Sequence, residues 1–332
     1  MNRHRNARVS SRQSPPLWRL LQVACAVVVA LVPHVGSVAR TAEITAGRGH
    51  ELAQIPPEVR ASSAARDLGW FNKKKAMTHV RRLAGRIGVR VRATKGERRA
   101  ARYVARKLRS FGYRTRVRRF RVVGGRSRNV VATWPGAVRY PVVVGGHIDT
   151  VRGSPGANDN ASGVAVVLET ARLFAGRRQA RFLKFVAFGS EEYGSDGVHH
   201  VGSQVFVNRL GNRGRRRLPG MISVDMIADG RPLIVGTAGI GPRVVARAFA
   251  RRTAAAGIRV VRRTTCDCSD NGPFERAGIP AAFAWSGFEP NYHSASDTPA
   301  NLSPADLRRT GRAVRSFVRS LDRKTVRRFR RH

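Results

Sequence analysis

The sequence predicts an α/β protein built on an open β-sheet. Apolar stretches with the length of strands alternate with helix-like stretches from residue 130 to residue 321, and no linker interrupts them. The chain has 332 residues, 42% of them hydrophobic, which is enough to bury a sizeable core. We therefore predict one large α/β domain over residues 76–323 rather than two small domains.

The first 42 residues have the succession of segments that is typical of a secretory signal peptide: a basic start, an apolar stretch and then small residues. An apolar segment at residues 20–32 is followed by small residues at 36–39, and the stretch before it is basic, with Arg3, Arg5, Arg8 and Arg12 among its residues. A membrane-spanning helix needs about 20 apolar residues. We therefore expect cleavage after Ala39 or Ala42, rather than a retained anchor, and a secreted or cell-envelope protein.

The segments around the signal peptide and the start of the domain follow in order. Residues 43–75 show no strong periodicity and predict a linker or short pro-segment. Apolar residues then recur at helical spacing from residue 76, and a second helix is expected over residues 97–111, ended by Gly112. Residues 113–123 alternate arginine with apolar residues, which predicts a half-buried strand near a sheet edge. A basic tail is expected at residues 324–332.

The chain is strongly basic, with 63 Lys and Arg against 20 Asp and Glu and a formal net charge of +43. Such a field favours anionic partners. The basic residues are dispersed, however, and no aromatic-interleaved basic motif accompanies them. We therefore expect no specific nucleic-acid partner, only weak attraction to anionic cell-wall or lipid surfaces, and a monomer.

Three cysteines occur in the chain. Cys25 lies in the predicted signal peptide, which leaves Cys266 and Cys268. An exported protein with two cysteines favours a disulfide, but a spacing of two residues is at the margin of the usual disulfide geometry. Free or paired, these cysteines are too few for a zinc knuckle.

Polar residues follow the apolar stretch at residues 140–146. His147 and Asp149 are separated by one residue, so extended backbone directs both side chains to the same side. One could bind a metal ion while the other orients the ligand, since a metal-bound imidazole usually donates its second N–H to a carboxylate. Asp149 could also be a ligand itself.

A third acid, Asp159, lies where an apolar helix over residues 164–174 is expected to begin. Its carboxylate, or the Asn160 amide, could simply cap that helix. Alternatively, a carboxylate can bridge two metal ions through its two oxygens. Both interpretations remain open at this point.

Further acids and a histidine follow other apolar stretches. Glu191 and Glu192 come after a strand-like run at residues 182–188, and Asp225 follows Met221–Val224. Glu192 could coordinate a cation while Glu191 shares a proton with metal-bound water as a general base. Asp225 would be a costly lone charge without a cation. The segment at 291–298 adds His293 as a last nitrogen ligand, with Asp297 to support it and the Tyr292 hydroxyl to face the reacting carbonyl.

These motifs, in this order, resemble the zinc metallopeptidases of the bacterial leucyl aminopeptidase type, metallopeptidase family twenty-eight. The resemblance covers about residues 76–321 and rests on five matching stretches: Gly146-His147-Ile148-Asp149-Thr150, residues 156–163, Glu191-Glu192-Tyr193-Gly194, Val224-Asp225-Met226-Ile227, and Tyr292-His293 with Asp297. It implies a three-layer α/β/α sandwich with a mixed, mostly parallel sheet between helices.

The resemblance also implies a role for each candidate residue. His147 and Asp225 would bind one zinc ion, Glu192 and His293 the other, and Asp159 would bridge the two. Glu191 would be the general base, Asp149 would hold His147, and Tyr292 would stabilise the oxyanion. The expected protein is thus an exported two-zinc aminopeptidase acting on peptides.

One departure bears on specificity. Ser269-Asp270-Asn271 stands where the family often has Ser-Asp-His, in a loop that helps shape the substrate pocket. A carboxypeptidase or a one-zinc glutaminyl cyclase of the same family remains an alternative. So does a cationic binding ectodomain on an inactive peptidase scaffold.

Overall fold

An eight-stranded mixed sheet organises residues 69–331, which are the residues described by the computed structural model. Its strands are β1 (Arg114–Val122), β2 (Gly125–Thr133), β3 (Val142–His147), β4 (Leu183–Phe188), β5 (Met221–Val224), β6 (Leu233–Thr237), β7 (Val260–Thr264) and β8 (Ala281–Trp285). Their spatial order is β1-β2-β4-β3-β5-β8-β6-β7. The four central strands, β4, β3, β5 and β8, are mutually parallel.

Helices cover both faces of this sheet. They are α1 (Lys73–Val80), α2 (Lys95–Ser110), α3 (Gly163–Phe174), α4 (Val201–Asn208), α5 (Gly211–Arg217), α6 (Val244–Ala254), α7 (Asn271–Arg276), α8 (Pro304–Arg319) and α9 (Arg323–Phe329). A wider helical turn, Arg81–Ile87, continues α1. The three-layer α/β/α class with a mixed sheet, expected from the sequence, is confirmed.

Side chains alternate between two cores because successive residues of a strand point to opposite faces. In β3, Val142 and Val144 belong to the larger core, whereas Val143 belongs to the smaller one. The larger core contains α1, α2, α3, α6 and α8, and the smaller core contains side chains from α4 and α7. The central strands are therefore buried on both faces, as parallel strands usually are.

The strand predicted near an edge is β1, which is the terminal strand of the sheet and pairs only with β2 among the described strands. Five arginines project from it into solvent: Arg114, Arg116, Arg118, Arg119 and Arg121. The apolar Phe120 is buried. The segment that alternates arginine with apolar residues is thus a strand in which Phe120 is buried and the arginines are exposed.

The ends of the described region differ from the expected boundaries. The first helix begins at Lys73, three residues before the predicted start of the domain. At the other end, the predicted basic tail contains α9, whose Val326 and Phe329 are buried, with the Phe329 ring stacked on Phe317. The predicted signal peptide, the linker up to residue 68 and His332 lie outside the described residues. Within residues 69–331, no helix has the length and apolar character needed to cross a membrane.

Candidate metal centre

Three neighbouring parallel strands bring the predicted ligands to one edge of the sheet. His147 is the last residue of β3, Glu191 and Glu192 follow β4, and Asp225 follows β5 directly. Since β4, β3 and β5 are adjacent and parallel, their carboxyl ends meet at the same place. Ligand sites of open α/β sheets form beyond such strand ends.

His147 faces two carboxylates. Its Nε2 lies 3.0 Å from the Oδ1 of Asp159 and 3.4 Å from the Oδ1 of Asp225. All three side chains are buried. One nitrogen and two carboxylate oxygens are thus close enough together to hold one metal ion.

A second group of donors lies around His293. Its Nε2 is 3.1 Å from the Oε2 of Glu192 and 3.2 Å from the Oδ2 of Asp159. The two oxygens of Asp159 therefore face two different histidines. His147, Glu191 and Glu192 form another combination of donor atoms compact enough for an ion.

Local hydrogen bonds explain the orientation of Asp159. The neighbouring Asn160 performs the capping role, because its Oδ1 accepts a hydrogen bond from the N–H of Gly163, the first residue of α3. Its Nδ2 also donates to the carbonyl of Val224, the last residue of β5. With Asn160 as the cap, the Asp159 carboxylate is directed at the histidines.

Gly163 allows the start of α3 to approach β5 closely. A Cβ at this position would lie 2.0 Å from the carbonyl oxygen of Val224, which is far inside van der Waals contact. Only glycine fits without a shift of the backbone. The absence of this side chain keeps the loop that carries Asp159 beside the strand that carries Asp225.

Asp149 and Asp297 hold backbone amides. The two oxygens of Asp149 accept hydrogen bonds from the N–H groups of Glu191 and Glu192, both at 3.1 Å. Asp297 accepts in the same way from Asn158, at 2.6 Å, and from Asp159, at 3.0 Å. Asp149 also lies beside the His147 ring, as expected for a residue that holds it: its Oδ1 is 3.7 Å and its backbone carbonyl 3.2 Å from Nδ1.

Two supporting side chains were missed in the sequence. The Ser269 hydroxyl donates to the Oδ2 of Asp225 at 2.8 Å, and the Nε2 of His200 lies 2.9 Å from the Oε1 of Glu191. Ser269 belongs to the segment singled out above as a departure from the family pattern. His200 follows Glu191 by nine residues, and no periodic pattern marks it.

Tyr292 lies beside the donors. Its ring stacks on that of His293, with the ring centroids 3.7 Å apart. It also packs against an apolar cluster of four buried side chains: Met226, Ile234, Phe283 and Trp285. Apolar side chains therefore lie directly beside the polar donors of the site. Nearby, Cys266 and Cys268 are joined by a disulfide bond.

Negative charge is concentrated here in a chain that is otherwise very basic. Seven of the 20 acidic residues are buried in or beside the site: Asp149, Asp159, Glu191, Glu192, Asp225, Asp270 and Asp297. Burial raises the pKa of Glu191 well above its usual range. Burial, together with the nearby Asp159 carboxylate, raises the pKa of Glu192 to about 7.

Arg90 is a fully buried cation beside these acids. The Arg90 side chain is fully buried, and its guanidinium donates to the backbone carbonyls of Leu83, Gly88, Ile148, Pro155 and Gly156. Leu83 lies in the helical turn Arg81–Ile87, whereas the other four carbonyls lie in irregular segments. Arg90 thus supplies the donors that these segments lack from regular secondary structure.

The donor set fits metal ions. Among the described residues, the Oε1 of Glu192, the Oδ1 of Asp225 and the Nε2 of His293 have no hydrogen-bond partner. Buried polar atoms without partners are costly unless a further group satisfies them. Imidazole and carboxylate donors suit Zn²⁺ and its neighbours in the first transition series.

Comparisons with known proteins identify the family of this chain. Residues 129–318 match the family model described as "Peptidase family M28". The chain is 29% identical over 286 residues to leupeptin-inactivating enzyme 1 of Streptomyces exfoliatus, covering 78% of this chain and 63% of that protein. It is 31% identical over 205 residues to the aminopeptidase YwaD of Bacillus subtilis, covering 58% of this chain and 44% of that protein.

The fold has a close counterpart among solved structures. The zinc aminopeptidase BSAP from Bacillus subtilis superposes with a TM-score of 0.71 at 19% identity, covering 78% of this chain and 97% of that one. The sequence matches span less than two thirds of the length of these two curated relatives, 63% of the first and 44% of the second. The family model nevertheless covers more than half of the chain, including every candidate ligand. The chain belongs to peptidase family M28.

Proposed function

We propose that the protein is a metal-dependent aminopeptidase that removes N-terminal residues from peptides. The observation that carries this proposal is the Asp159 carboxylate, whose oxygens lie 3.0 and 3.2 Å from two histidines that each have a second carboxylate nearby. This arrangement suits two metal ions held close together. Membership of the family and similarity to an aminopeptidase of Bacillus subtilis support the substrate class.

In the proposed arrangement, His147 and Asp225 would hold one zinc ion, Glu192 and His293 would hold the other, and Asp159 would be a ligand of both. Bound zinc would supply Lewis-acid polarisation of the peptide carbonyl and lower the pKa of a water molecule. Asp149 fixes the backbone of the Glu191–Glu192 pair, because it accepts both amide hydrogens.

Glu191 is the proposed general base. Its Oε1 is engaged by His200, and its Oε2 points toward His147 at 3.7 Å, on the side of the metal donors. Burial raises its pKa well above the usual range, which suits a carboxylate that accepts a proton from water and passes it to the leaving amine. The Tyr292 hydroxyl would stabilise negative charge on the former carbonyl oxygen.

The surroundings support a preference for apolar N-terminal residues. Tyr292 and the cluster of Met226, Ile234, Phe283 and Trp285 form an apolar wall beside the donors. Burying an apolar side chain there would stabilise the bound substrate, at about 25 cal/mol for each Å² removed from water. We further propose export through the N-terminal leader and action as a monomer on peptide substrates.

The test is hydrolysis of a leucyl anilide and of its N-acetylated twin by zinc-loaded protein. We expect cleavage of the free-amine substrate only. Chelation should abolish it, and added zinc should restore it. Glu191→Gln should lower kcat by about 100-fold or more, as expected for loss of a general base. Metal analysis of the same samples should give two ions per wild-type chain.

A matched control is Glu169→Gln. Glu169 is also fully buried, but it pairs with Arg172 on α3 rather than with the site. Its variant should keep the wild-type kcat. Folded, zinc-loaded wild-type protein that cleaves neither substrate would contradict the aminopeptidase proposal. Cyclisation of an N-terminal glutaminyl peptide, or release of C-terminal residues, would then indicate one of the other family activities.

A further inference from the structure

The chain between Glu191 and His200 folds back on itself. The His200 N–H donates to the Glu191 carbonyl at 2.7 Å, and the Val201 N–H donates to the Ser190 carbonyl at 2.8 Å. His200 has a φ of 53°, in the left-handed region that few non-glycine residues adopt. These bonds hold the backbone of His200 directly beside that of Glu191.

A second set of contacts fixes the outer part of this excursion. Arg92, from the segment before α2, forms an ion pair with Asp196 at 2.5 Å and donates to the Val198 carbonyl at 3.0 Å. The Arg92 side chain is itself only 6% exposed. The loop that ends at His200 is therefore held both at its base and at its outer part.

The His200 ring reaches one oxygen of Glu191. Its Nε2 lies 2.9 Å from Oε1, and both side chains are buried. A carboxylate oxygen can only accept a hydrogen bond, so the His200 nitrogen that faces it carries the N–H. The other oxygen of Glu191, Oε2, is the one that faces His147. The carboxylate therefore has one oxygen held by the protein and one directed at the metal donors.

We propose that His200 is a positioning residue for Glu191: it donates its Nε2–H to Oε1 and so holds Oε2 toward the metal donors. This inference rests on the proposed role of Glu191 as general base. A glutamate side chain has several rotatable bonds, and a catalytic group must be held within about 0.5 Å of its productive position.

The experiment compares His200→Gln with His200→Asn in zinc-loaded protein. Both variants carry a neutral amide, but only the longer glutamine can extend its N–H to the position of the imidazole Nε2. We expect His200→Asn to lower kcat about 10- to 100-fold, the range for residues that orient a catalytic or metal-binding group. KM and zinc content should stay within about twofold of wild type, and His200→Gln should recover most of kcat.

Two further measurements separate positioning from a general structural role. In a Glu191→Gln background, His200→Asn should cause almost no additional loss of kcat, because the carboxylate it positions is gone. The matched control is His79→Asn, since His79 is a buried histidine bonded to the Tyr103 hydroxyl. Its kcat should equal that of wild type.

Three outcomes would contradict the positioning role, and a fourth would contradict the proposed function. Wild-type kcat in His200→Asn, or equal losses in the Asn and Gln variants together with loss of zinc, would overturn the positioning role while leaving the aminopeptidase proposal intact. A full additional loss in the Glu191→Gln background would overturn it as well. Absence of any cleavage by wild-type protein would instead remove the proposed function and this inference with it.

Discussion

Asp159 and Asn160 have different tasks. Asn160 caps α3, and Asp159 faces the two histidines. An aspartate at a helix N-terminus often accepts a backbone N–H, which would turn one oxygen away from the site. Here the Asn160 amide accepts the Gly163 N–H, and both oxygens of Asp159 remain directed at histidines. Asn160 thus contributes to the geometry of the candidate metal centre.

Ser269 gives a prediction at this scale. Its hydroxyl donates to the Oδ2 of Asp225 at 2.8 Å in a buried position. Ser269→Ala should leave that oxygen without its donor and weaken zinc binding by about 10- to 100-fold. Titration of metal-free protein with zinc would measure this change.

The control for Ser269→Ala is Ser316→Ala, which removes an exposed hydroxyl bonded to the Arg252 carbonyl. Its zinc affinity should not change. Unaltered zinc affinity in Ser269→Ala would mean that Asp225 needs no support from this hydroxyl.

The sequence identifies residues at strand ends more readily than residues that support them. His147, Glu192 and Asp225 could be predicted because each follows an apolar strand, and parallel strands end at a common edge. His200 and Ser269 could not, because their contacts depend on how loops fold back across the site. The same limit applies to Asp149 and Asp297, which accept hydrogen bonds from backbone N–H donors 42 and 139 residues away in the chain.

Among the elements, the junction of α3 with β5 determines the distance between two ligands. Asp159 precedes α3 and Asp225 follows β5, and the two elements meet where Gly163 lies against the Val224 carbonyl. Any side chain at this glycine would separate the helix from the strand. The spacing of the candidate ligands is therefore set by backbone packing as well as by the ligands themselves.

Gly163→Ala should show this dependence. The added Cβ would lie 2.0 Å from the Val224 oxygen, and overpacking of this kind destabilises proteins by about 1–3 kcal/mol. We expect a lower free energy of unfolding together with weaker zinc binding, measured by denaturant titration and zinc titration.

A glycine in another helical segment provides the control. In Gly85→Ala, the added Cβ meets only Pro299, at 3.9 Å, which is ordinary contact. This variant should be as stable as wild type or slightly more stable, since alanine restricts the unfolded chain. Equal stability and zinc affinity in both variants would contradict the argument from close packing.

The types of the elements followed from apolar periodicity, but their spatial order did not. The helix expected over residues 97–111 is α2 (Lys95–Ser110), and the strand expected over residues 113–123 is β1. The antiparallel pairing of β6 with β8, at the border of the parallel central strands, has no local signature. Helix α9 was missed because arginines dominate its sequence, and only Val326 and Phe329 reveal its buried side.

At the scale of the whole molecule, the buried acids make the stability of the metal-free fold depend on pH. Burial raises the pKa of Glu192 to about 7 and that of Asp297 to about 6 in the metal-free fold. These groups bind more protons when folded than when unfolded. Their contribution to stability is therefore present below the ordinary carboxyl pKa and is lost as the pH rises through about 6 to 7.

Zinc should reverse this trend, because its ligands bind in their deprotonated forms. The Tm of metal-free protein should be lower at pH 8 than at pH 6. Zinc at 100 times its Kd stabilises the fold by about 2.7 kcal/mol, which corresponds to about 5–10 °C in a domain of this size. We expect a larger rise in Tm at pH 8 than at pH 6 by differential scanning fluorimetry.

The variant Asp159→Asn serves as the control for this measurement. It lacks the carboxylate that faces both histidines, so its Tm should respond little to zinc at either pH. An equal response in the variant and in the wild type would show that zinc stabilises the protein from some other position.

The arginines of β1 bear on how copies of the chain behave toward one another in solution. An open strand edge can extend its sheet onto a second molecule, but here that approach would bring two rows of five arginines together. At physiological ionic strength the Debye length is about 8 Å, so the two rows would repel before backbone hydrogen bonds could form. At about 1 M salt the Debye length falls to about 3 Å, and this electrostatic protection against association of two chains is largely lost.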